Sequence, residues 1–459
     1  MSRRHFGTDG VRGVANIGLT PELAFSLGQA AGRLMTQLAV EPRVVFGRDT
    51  RKSSPMLEAA LGSGFCSSGV ETVTLGVVPT PTVSFVARTC HFGLGAIISA
   101  SHNPAPDNGI KFVGHDGRKL TDELELKVEE IMGEAFEQRP VGGRIGDFNF
   151  DREALSLYLD HLEAIVPERL DGLRVAVDAA HGAAFELGPE ILRRLGAEVI
   201  ACGVSPNGVN INDEGGATKP HLMQEFTRNH GAEVGVAFDG DADRAVFSDE
   251  RGRLLNGDRT MGIWAAHYQE RGELHPPVVI GTVMSNGGFA RYLESRGIAL
   301  ERAPVGDKYV SQRIDATSAP IGGEQSGHIV FPRRGPTGDG LATMLEFLRV
   351  IKVSGKPASD FYDAYEAMPQ VLVNLEVRDR ATWRTPEVDR AIESAEHELG
   401  EEGRVVVRAS GTQPVVRVMV EASDFRRRDQ ATAGLVATLE RESGAREKSR
   451  TDLTDGLGD

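Results

Sequence analysis

The sequence predicts an α/β protein, built from three similar α/β domains with mixed, mostly parallel sheets and followed by a C-terminal α+β domain. A strand–helix–strand pattern occurs three times, beginning at "RVVFGRDT" (43–50), "RVAVDAAH" (174–181) and "PVVIGTVM" (277–284). Alternating strands and helices form parallel sheets covered by helices. The length of 459 residues also exceeds what one hydrophobic core supports.

A third strand-like run follows in each repeat and ends in an unusual polar loop. These runs are "GAIISASHNP" (95–104), "VGVAFDGDADR" (234–244) and "APIGGEQSGH" (319–328). In open α/β sheets, ligands bind beyond the carboxyl ends of the strands. We therefore expect the three loops to face one central cleft.

From residue 368 the pattern changes to strands that alternate apolar and polar residues, separated by helix-like stretches, which predicts the α+β domain. The last stretch is charged and poor in apolar residues, so we expect a disordered tail. The predicted boundaries are 1–152, 153–254, 255–367, 368–442 and 443–459.

Composition excludes several classes of function. A net charge of −15 argues against nucleic-acid binding. No apolar run is long enough for a membrane span, and the opening "MSRRHFGTDG" has no apolar core like that of a signal peptide, so we expect a cytoplasmic protein without membrane partners. The three cysteines are scattered, which favours buried thiols over disulfides or a zinc site.

The central loop predicts a metal site. Asp239, Asp241 and Asp243 alternate with small residues, so their carboxylates can converge on a hard cation, for which Mg²⁺ is the best candidate. An EF-hand would need glycine at the sixth position, where Arg244 stands. A haloacid-type phosphatase motif also fails, because Asp243 occupies the place of its Thr or Val. An acidic surface turn is the alternative.

Ser101 lies in the loop that follows the first repeat's third strand. No serine has the G-x-S-x-G elbow of hydrolases, and His102 is not automatically its base, since sequence neighbours usually point apart. A serine facing a metal loop suggests a hydroxyl that carries a phosphoryl group, one oxygen of which would complete the Mg²⁺ shell. Lys111 is placed as proton donor and acceptor or as an electrostatic clamp. Taken alone, Ser-His-Asn-Pro is a plain turn.

Two further loops suggest contacts with a phosphorylated sugar. Glu324 and Ser326 in "GGEQSGH" suit sugar hydroxyls or an amine. In "RASGTQPVVR", guanidinium groups, hydroxyls and backbone N–H groups could surround a phosphate, although a solvated hairpin is the alternative. The residues are Arg408, Ser410, Gly411, Thr412 and Arg417.

The motifs "FGTDGVRG", "ISASHNP", "DGDADR", "GGEQSGH" and "RASGTQP", in this order over nearly the whole chain, resemble those of the α-D-phosphohexomutases. Among them, the sequence is most similar to the bacterial branch that acts on glucosamine phosphates. The resemblance implies phosphoserine at Ser101, one Mg²⁺ on the three aspartates, sugar contacts at Glu324 and Ser326, and the phosphate site named above. It also implies roles near the reacting phosphoryl group for Arg12, His102, Lys111 and Arg244.

The expected activity is interconversion of glucosamine 6-phosphate and 1-phosphate through a hexose 1,6-bisphosphate, by a monomer or homodimer. A phosphomannomutase or phosphoglucomutase is the neighbouring alternative, and a non-catalytic sugar-phosphate sensor is the alternative from another class. Two positions depart from the family pattern. Gln413 replaces a glutamate, which should preserve activity, and Ser54 replaces a common glycine in a turn expected to lie far from the chemistry.

Overall fold

The computed structural model describes residues 4–7, 9–379, 382–410 and 414–457. The chain forms two compact units. The first unit comprises Met1–Arg253 and Gly327–Ser359, and the second comprises Leu254–Ser326 and Asp360–Asp459. The return of 327–359 to the first unit was not predicted. The division into four domains and the central cleft stay predictions.

The first sheet has the strand order β1-β5-β4-β2-β3-β6, with parallel pairing among β4, β2, β3 and β6 and antiparallel pairing of β5 with β1 and β4. The central strand β4 is buried at every position, as its apolar run predicts. The elements are β1 (Val11–Val14), α1 (Pro21–Gln37), β2 (Arg43–Arg48), α2 (Ser54–Cys66), β3 (Glu71–Val77), α3 (Thr80–Thr89), β4 (Leu94–Ile98), β5 (Asp107–Gly114), α4 (Asp122–Met132), a 3₁₀ turn (Gly142–Arg144) and β6 (Phe148–Phe150).

The second sheet repeats the arrangement. Strand β7 pairs in parallel with β8 and β9, and β9 continues through the aspartate loop into the antiparallel β10. The elements are α5 (Glu153–Glu163), β7 (Arg174–Asp178), α6 (Leu187–Arg194), β8 (Glu198–Cys202), α7 (His221–Asn229), β9 (Val234–Phe238) and β10 (Ala245–Asp249).

The third repeat places β12 between β13 and β14, parallel to both. Helix α8 begins after Asn256, whose side chain accepts a hydrogen bond from Arg259 N and so caps the helix. The elements are β11 (Leu254–Leu255), α8 (Gly257–Glu270), β12 (Val278–Thr282), α9 (Gly287–Glu294), β13 (Ala299–Ala303), α10 (Asp307–Thr317) and β14 (Ile321–Gly323). The segment that returns to the first unit carries β15 (Ile329–Val330) and α11 (Gly340–Ser354).

The C-terminal part is an antiparallel sheet of order β17-β18-β16-β19 with two long helices, which confirms the predicted fold class of three α/β repeats and an α+β domain. The elements are α12 (Ala358–Tyr362), β16 (Gln370–Glu376), α13 (Pro386–Leu399), a 3₁₀ turn (Gly400–Glu402), β17 (Arg404–Ala409), β18 (Val415–Glu421), α14 (Phe425–Ser443) and β19 (Arg446–Asp452).

The prediction of a disordered tail over 443–459 is wrong for β19. This strand pairs antiparallel with β16 along its length, and the next residue, Leu453, is fully buried beside Met284, Leu372 and Met419. Backbone pairing and the buried Leu453 side chain hold a strand whose own side chains are all charged or polar. Across the described part of the chain, the helices are all too short or too polar to span a lipid bilayer.

Candidate active site

Ser101 lies three residues beyond the end of β4, in the loop that turns the chain back into β5. The side chain is almost completely buried, with 3% of its surface exposed. Its φ of +51° is in the left-handed region, which serine rarely adopts. Its Oγ donates a hydrogen bond to Asp239 Oδ2 at 2.7 Å. His102 Nδ1 lies 3.2 Å from Ser101 Oγ. The histidine next to Ser101 in sequence is therefore also next to its hydroxyl.

The three aspartates follow β9 and precede β10, so a tight turn brings their carboxylates together. One oxygen from each lies within 4.8 Å of the others. Asp239 and Asp241 are fully buried, and the Oδ1 atoms of Asp241 and Asp243 have no hydrogen-bond partner. A buried carboxylate oxygen without a donor is costly, and three neighbouring carboxylates repel one another. The donor set fits a hard divalent cation such as Mg²⁺.

The pKa shifts of these aspartates also indicate that the cluster favours a bound cation. Burial raises the pKa of Asp239 well above its ordinary value, and the charges of Asp243 and Asp241 raise it further. Burial also acts to raise the pKa of Asp243, but the neighbouring His328 and Lys111 bring it below its ordinary value. One carboxylate of the cluster therefore resists ionisation until positive charge is supplied.

Lys111 reaches the aspartates from β5, which pairs antiparallel with β4 and carries Lys111 opposite Ile97. Its Nζ lies 3.2 Å from Asp241 Oδ2 and 3.5 Å from Asp9 Oδ2. Burial alone would lower the pKa of Lys111, but the carboxylates of Asp241 and Asp9 raise it above its ordinary value. The side chain is an ammonium ion, which suits a proton donor or an electrostatic clamp better than a base.

Asp9, which the sequence reasoning did not single out, organises the cations beside the aspartate cluster. It pairs with Arg12 on β1 and with Lys111 and Lys119. Burial would raise the pKa of Asp9, but these three cations hold it far below its ordinary value. The Nε atom of Arg12 is buried without a hydrogen-bond partner. The predicted Arg12 thus lies in the same cluster as Lys111, and the "FGTDG" motif was the signal for Asp9.

Thr80, His328 and Arg244 make further contacts with the aspartates. Thr80, the first residue of α3, donates its hydroxyl to Asp241 Oδ2 at 2.7 Å and its backbone N–H to Asp241 O at 2.9 Å. His328 Nδ1 lies 3.7 Å from Asp243 Oδ2. Arg244 donates its backbone N–H to Asp239 Oδ1 at 3.2 Å. Sequence reasoning named Arg244 and missed Thr80 and His328, although His328 ends the quoted "GGEQSGH".

The second unit holds the predicted sugar and phosphate residues. Glu324 accepts a hydrogen bond from Gly306 N at 2.8 Å, and the side chains of Glu324 and Ser326 are both buried. Arg408 on β17 lies directly opposite Arg417 on β18.

Two guanidinium groups at paired strand positions repel each other. Burial lowers the pKa of Arg408 and the charge of Arg417 lowers it further, while Glu324 acts in the opposite direction. Arg408 Nη2 is buried without a hydrogen-bond partner. An anion would supply an acceptor for this Arg408 atom. Ser410 is buried at the end of β17, and the predicted Gly411 and Thr412, with Gln413, lie outside the described residues.

Comparison with known proteins decides the family. Four models of the phosphoglucomutase/phosphomannomutase family match in order: alpha/beta/alpha domains I, II and III and the C-terminal domain, over residues 3–139, 156–252, 256–368 and 372–436. The phosphoglucosamine mutase of Symbiobacterium thermophilum is 45% identical over 444 residues, covering 96% of this chain and 99% of that relative. The chain belongs to the phosphoglucomutase/phosphomannomutase family.

Other relatives agree with this membership and confirm the resemblance drawn from the motifs. The phosphoglucosamine mutase of Geobacillus thermodenitrificans is 45% identical over 422 residues, covering 91% of this chain and 94% of that relative. A family member from Burkholderia thailandensis shares the fold, with a TM-score of 0.82 and 24% identity over 97% of this chain and 99% of that one. The N-acetylphosphoglucosamine mutase of Aspergillus fumigatus, solved with GlcNAc-6P and magnesium, has a TM-score of 0.68 and 19% identity, covering 96% of each chain.

Proposed function

We propose that this protein interconverts glucosamine 6-phosphate and glucosamine 1-phosphate, with Ser101 as the residue that carries the transferred phosphoryl group. The observation that carries the proposal is the buried Ser101 hydroxyl, 2.7 Å from Asp239 in a cluster of three carboxylates. The relatives named phosphoglucosamine mutase, at 43–45% identity over nearly their full length, favour the amino sugar over glucose or mannose.

In the forward step, the bond between phosphorus and Ser101 Oγ breaks as a sugar hydroxyl forms the new bond to phosphorus, and the proton that the sugar hydroxyl loses is balanced by the proton that Ser101 Oγ gains. The product is a 1,6-bisphosphate, and its other phosphoryl group then returns to Ser101 after the sugar turns around. Mg²⁺, held by Asp239, Asp241 and Asp243, would supply charge neutralisation for the transferred phosphoryl group.

The chain's own residues act around that transfer. Lys111 and Arg12 place positive charge beside the phosphoryl group, and Asp9 fixes both of them. His102 Nδ1, 3.2 Å from Ser101 Oγ, is placed to exchange a proton with that oxygen when the bond breaks or forms. Arg244 closes the aspartate loop through its backbone.

Glu324 and Ser326 are proposed to contact the sugar, and Arg408, Ser410, Gly411, Thr412 and Arg417 to hold the phosphate that is not being transferred. The support is Arg408, whose buried Nη2 atom has no hydrogen-bond partner and which lies opposite the like charge of Arg417. One Mg²⁺ per chain, a hexose 1,6-bisphosphate activator, a cytoplasmic location and a monomeric or dimeric state belong to the same proposal.

Phosphorus NMR tests the function directly. The purified protein receives Mg²⁺, a trace of hexose 1,6-bisphosphate, and glucosamine 6-phosphate, glucose 6-phosphate or mannose 6-phosphate in separate samples. We expect the 1-phosphate to form fastest from glucosamine 6-phosphate, Ser101→Ala to remove turnover, and Ser63→Ala, an exposed serine on α2, to leave turnover unchanged.

Each other outcome has a definite meaning. Faster conversion of glucose or mannose 6-phosphate would move the protein to the neighbouring branch of the family. Absence of conversion by protein shown to be phosphorylated at Ser101 would favour the sensor. Normal turnover by Ser101→Ala would overturn the phosphoserine mechanism.

A further inference from the structure

The backbone of Ser101 is held by two side chains that the proposed chemistry does not use. The Ser101 carbonyl oxygen accepts hydrogen bonds from Arg51 Nη2 and from Asn212 Nδ2, each at 2.9 Å. Both donors also reach the carbonyl of Asn103, at 2.8 Å from Arg51 and 3.2 Å from Asn212. A left-handed serine persists only where its surroundings hold it, and these donors fix the peptide that follows Ser101.

Arg51 is rigidly placed because its guanidinium group is buried and paired. Its Nε donates to Asp49 Oδ2 at 2.8 Å. Asp49 also accepts from Ser99 Oγ at 2.6 Å, and Ser99 Oγ in turn accepts from Ser101 N at 2.9 Å. Both the N–H and the carbonyl of Ser101 are therefore connected to the Asp49–Arg51 pair at the end of β2.

This network gives Ser54 a role that contradicts the expectation of a turn far from the chemistry. Ser54 Oγ donates to Asp49 Oδ1 at 2.8 Å and accepts from Asn108 Nδ2 at 3.0 Å. It is thus one hydrogen bond from the carboxylate that holds both Ser99 and Arg51.

Asn212 approaches Ser101 from the other sheet of the first unit. Its backbone N–H donates to Ala180 O at 3.0 Å, which ties its loop to the end of β7, and its φ of +58° is also left-handed. Gly240, between the first two aspartates, has no room for a side chain. A Cβ there would lie 2.5 Å from the Ser101 carbonyl oxygen and 2.6 Å from Asn212 Nδ2.

We propose that Arg51 and Asn212 are positioning residues for phosphoryl transfer, which act by fixing the Ser101 carbonyl so that Oγ faces Asp239. This inference rests on the proposed function. Without the two donors, Ser101 relaxes toward negative φ, its peptide rotates, and Oγ leaves the aspartate cluster. Neither side chain contacts the substrate in the proposed function. Removing either side chain should therefore lower kcat and leave KM unchanged.

The test uses Asn212→Gly and Asn212→Asp, because glycine and aspartate both tolerate the left-handed backbone. Glycine removes the amide, and aspartate keeps the shape but replaces the donor with an acceptor. Asn210→Ala is the matched control, since Asn210 lies in the same loop and its amide donates to Ser205 O instead. Arg51→Lys keeps the charge beside Asp49 and loses the forked donors.

We expect kcat to fall about tenfold or more in both Asn212 variants and in Arg51→Lys, because small misplacements of reacting groups cost rate steeply. KM should stay within about twofold, and melting temperature and circular dichroism of the Asn212 variants should match those of Asn210→Ala. Crystal structures of Asn212→Gly should show Ser101 at negative φ.

Lowered melting temperature with unchanged kcat would show a purely structural role and overturn the inference. Unchanged kcat with Ser101 still at positive φ would overturn it as well. Inactive wild-type protein would overturn the proposed function together with this role, whereas active wild-type protein with unaffected variants would overturn this role alone.

Discussion

Two side chains of the first unit, Thr80 on α3 and Lys111 on β5, contact the carboxylate of Asp241. Thr80 Oγ1 donates to its Oδ2 at 2.7 Å and Lys111 Nζ lies 3.2 Å from the same oxygen, while Oδ1 has no partner. Both donors therefore orient the carboxylate so that Oδ1 is left for a cation. Residues that orient a ligand contribute to metal affinity although they do not touch the metal.

Replacing Thr80 by valine should weaken metal binding. The swap keeps the shape of the side chain and removes the hydroxyl that orients Asp241, so we expect the Kd for Mg²⁺, and for Mn²⁺ as a spectroscopic probe, to rise about tenfold. Titration calorimetry with Mg²⁺ and electron paramagnetic resonance with Mn²⁺ measure this change. Thr82→Val, on the same helix and with a fully buried side chain, is the matched control. Equal affinities in the two variants would show that Thr80 does not orient the ligand.

Individual site residues were predictable where several residues that can bind a metal lie close together in one loop. Asp239, Asp241 and Asp243 are such a case, since their spacing alone indicates convergence. Thr80 was not predictable in this way, because its role depends on a partner that is distant in sequence. The hydrogen bond between Thr80 and Asp241 spans 161 residues, a distance that periodicity and motif length do not bridge.

At the scale of elements, strands with buried apolar runs were predictable and β19 was not. All seven residues of β19 are exposed, and the sequence "REKSRTD" has no apolar alternation. Its stability comes from the ladder with β16 and from Arg428, whose Nη1 donates to Asp452 Oδ2 at 2.7 Å. Backbone hydrogen bonds form with any residue type except proline, so the sequence does not indicate them. Burial of side chains, in contrast, requires apolar residues that the sequence shows.

Helix α8 and the loop after β12 are joined by Asp258, whose ionisation should make the second unit sensitive to pH. Asp258 Oδ2 accepts from Asn286 N at 2.8 Å, and its Oδ1 is buried without a hydrogen-bond partner. Burial raises the pKa of Asp258 to about 6. Because the folded protein binds this proton more tightly than the unfolded chain, the stabilisation is present in full below about pH 4 and is lost as pH rises through 6.

Replacing Asp258 by asparagine should remove that dependence. Between pH 5 and 7.5, the free energy of unfolding of the wild-type protein should fall by about 1.4 kcal/mol relative to Asp258→Asn. Urea unfolding followed by tryptophan fluorescence measures it, since both tryptophans, Trp264 and Trp383, lie in the second unit. Asp315→Asn, exposed on α10, should keep the wild-type pH dependence. Parallel pH profiles for the wild-type protein and Asp258→Asn would contradict the assignment.

At the scale of the whole molecule, the protein has a net charge of −15 and encloses three aspartates within one small buried turn. The distributed charge affects solubility and is screened by salt. The buried aspartates are different, since their mutual repulsion is screened little and is relieved by a bound cation. Stability should therefore respond to Mg²⁺ far more than to monovalent salt at equal ionic strength.

Removal of Mg²⁺ should lower the stability of the wild-type protein and leave Asp239→Asn nearly unaffected. At Mg²⁺ concentrations about 100 times Kd, binding to the folded state alone adds about 2.7 kcal/mol to the free energy of unfolding. Burial and the charges of Asp243 and Asp241 raise the pKa of Asp239 above its ordinary value, so its amide variant relieves the repulsion and lacks one ligand. Calorimetric melting in EDTA and in MgCl₂, with NaCl of matched ionic strength as the control, measures both effects.

In EDTA, Asp239→Asn should melt at or above the wild-type temperature, because the amide oxygen still accepts from Arg244 N and its NH₂ can donate to Ser101 Oγ. A wild-type protein that melts at the same temperature in EDTA and in MgCl₂ would show that the three carboxylates are satisfied without a cation.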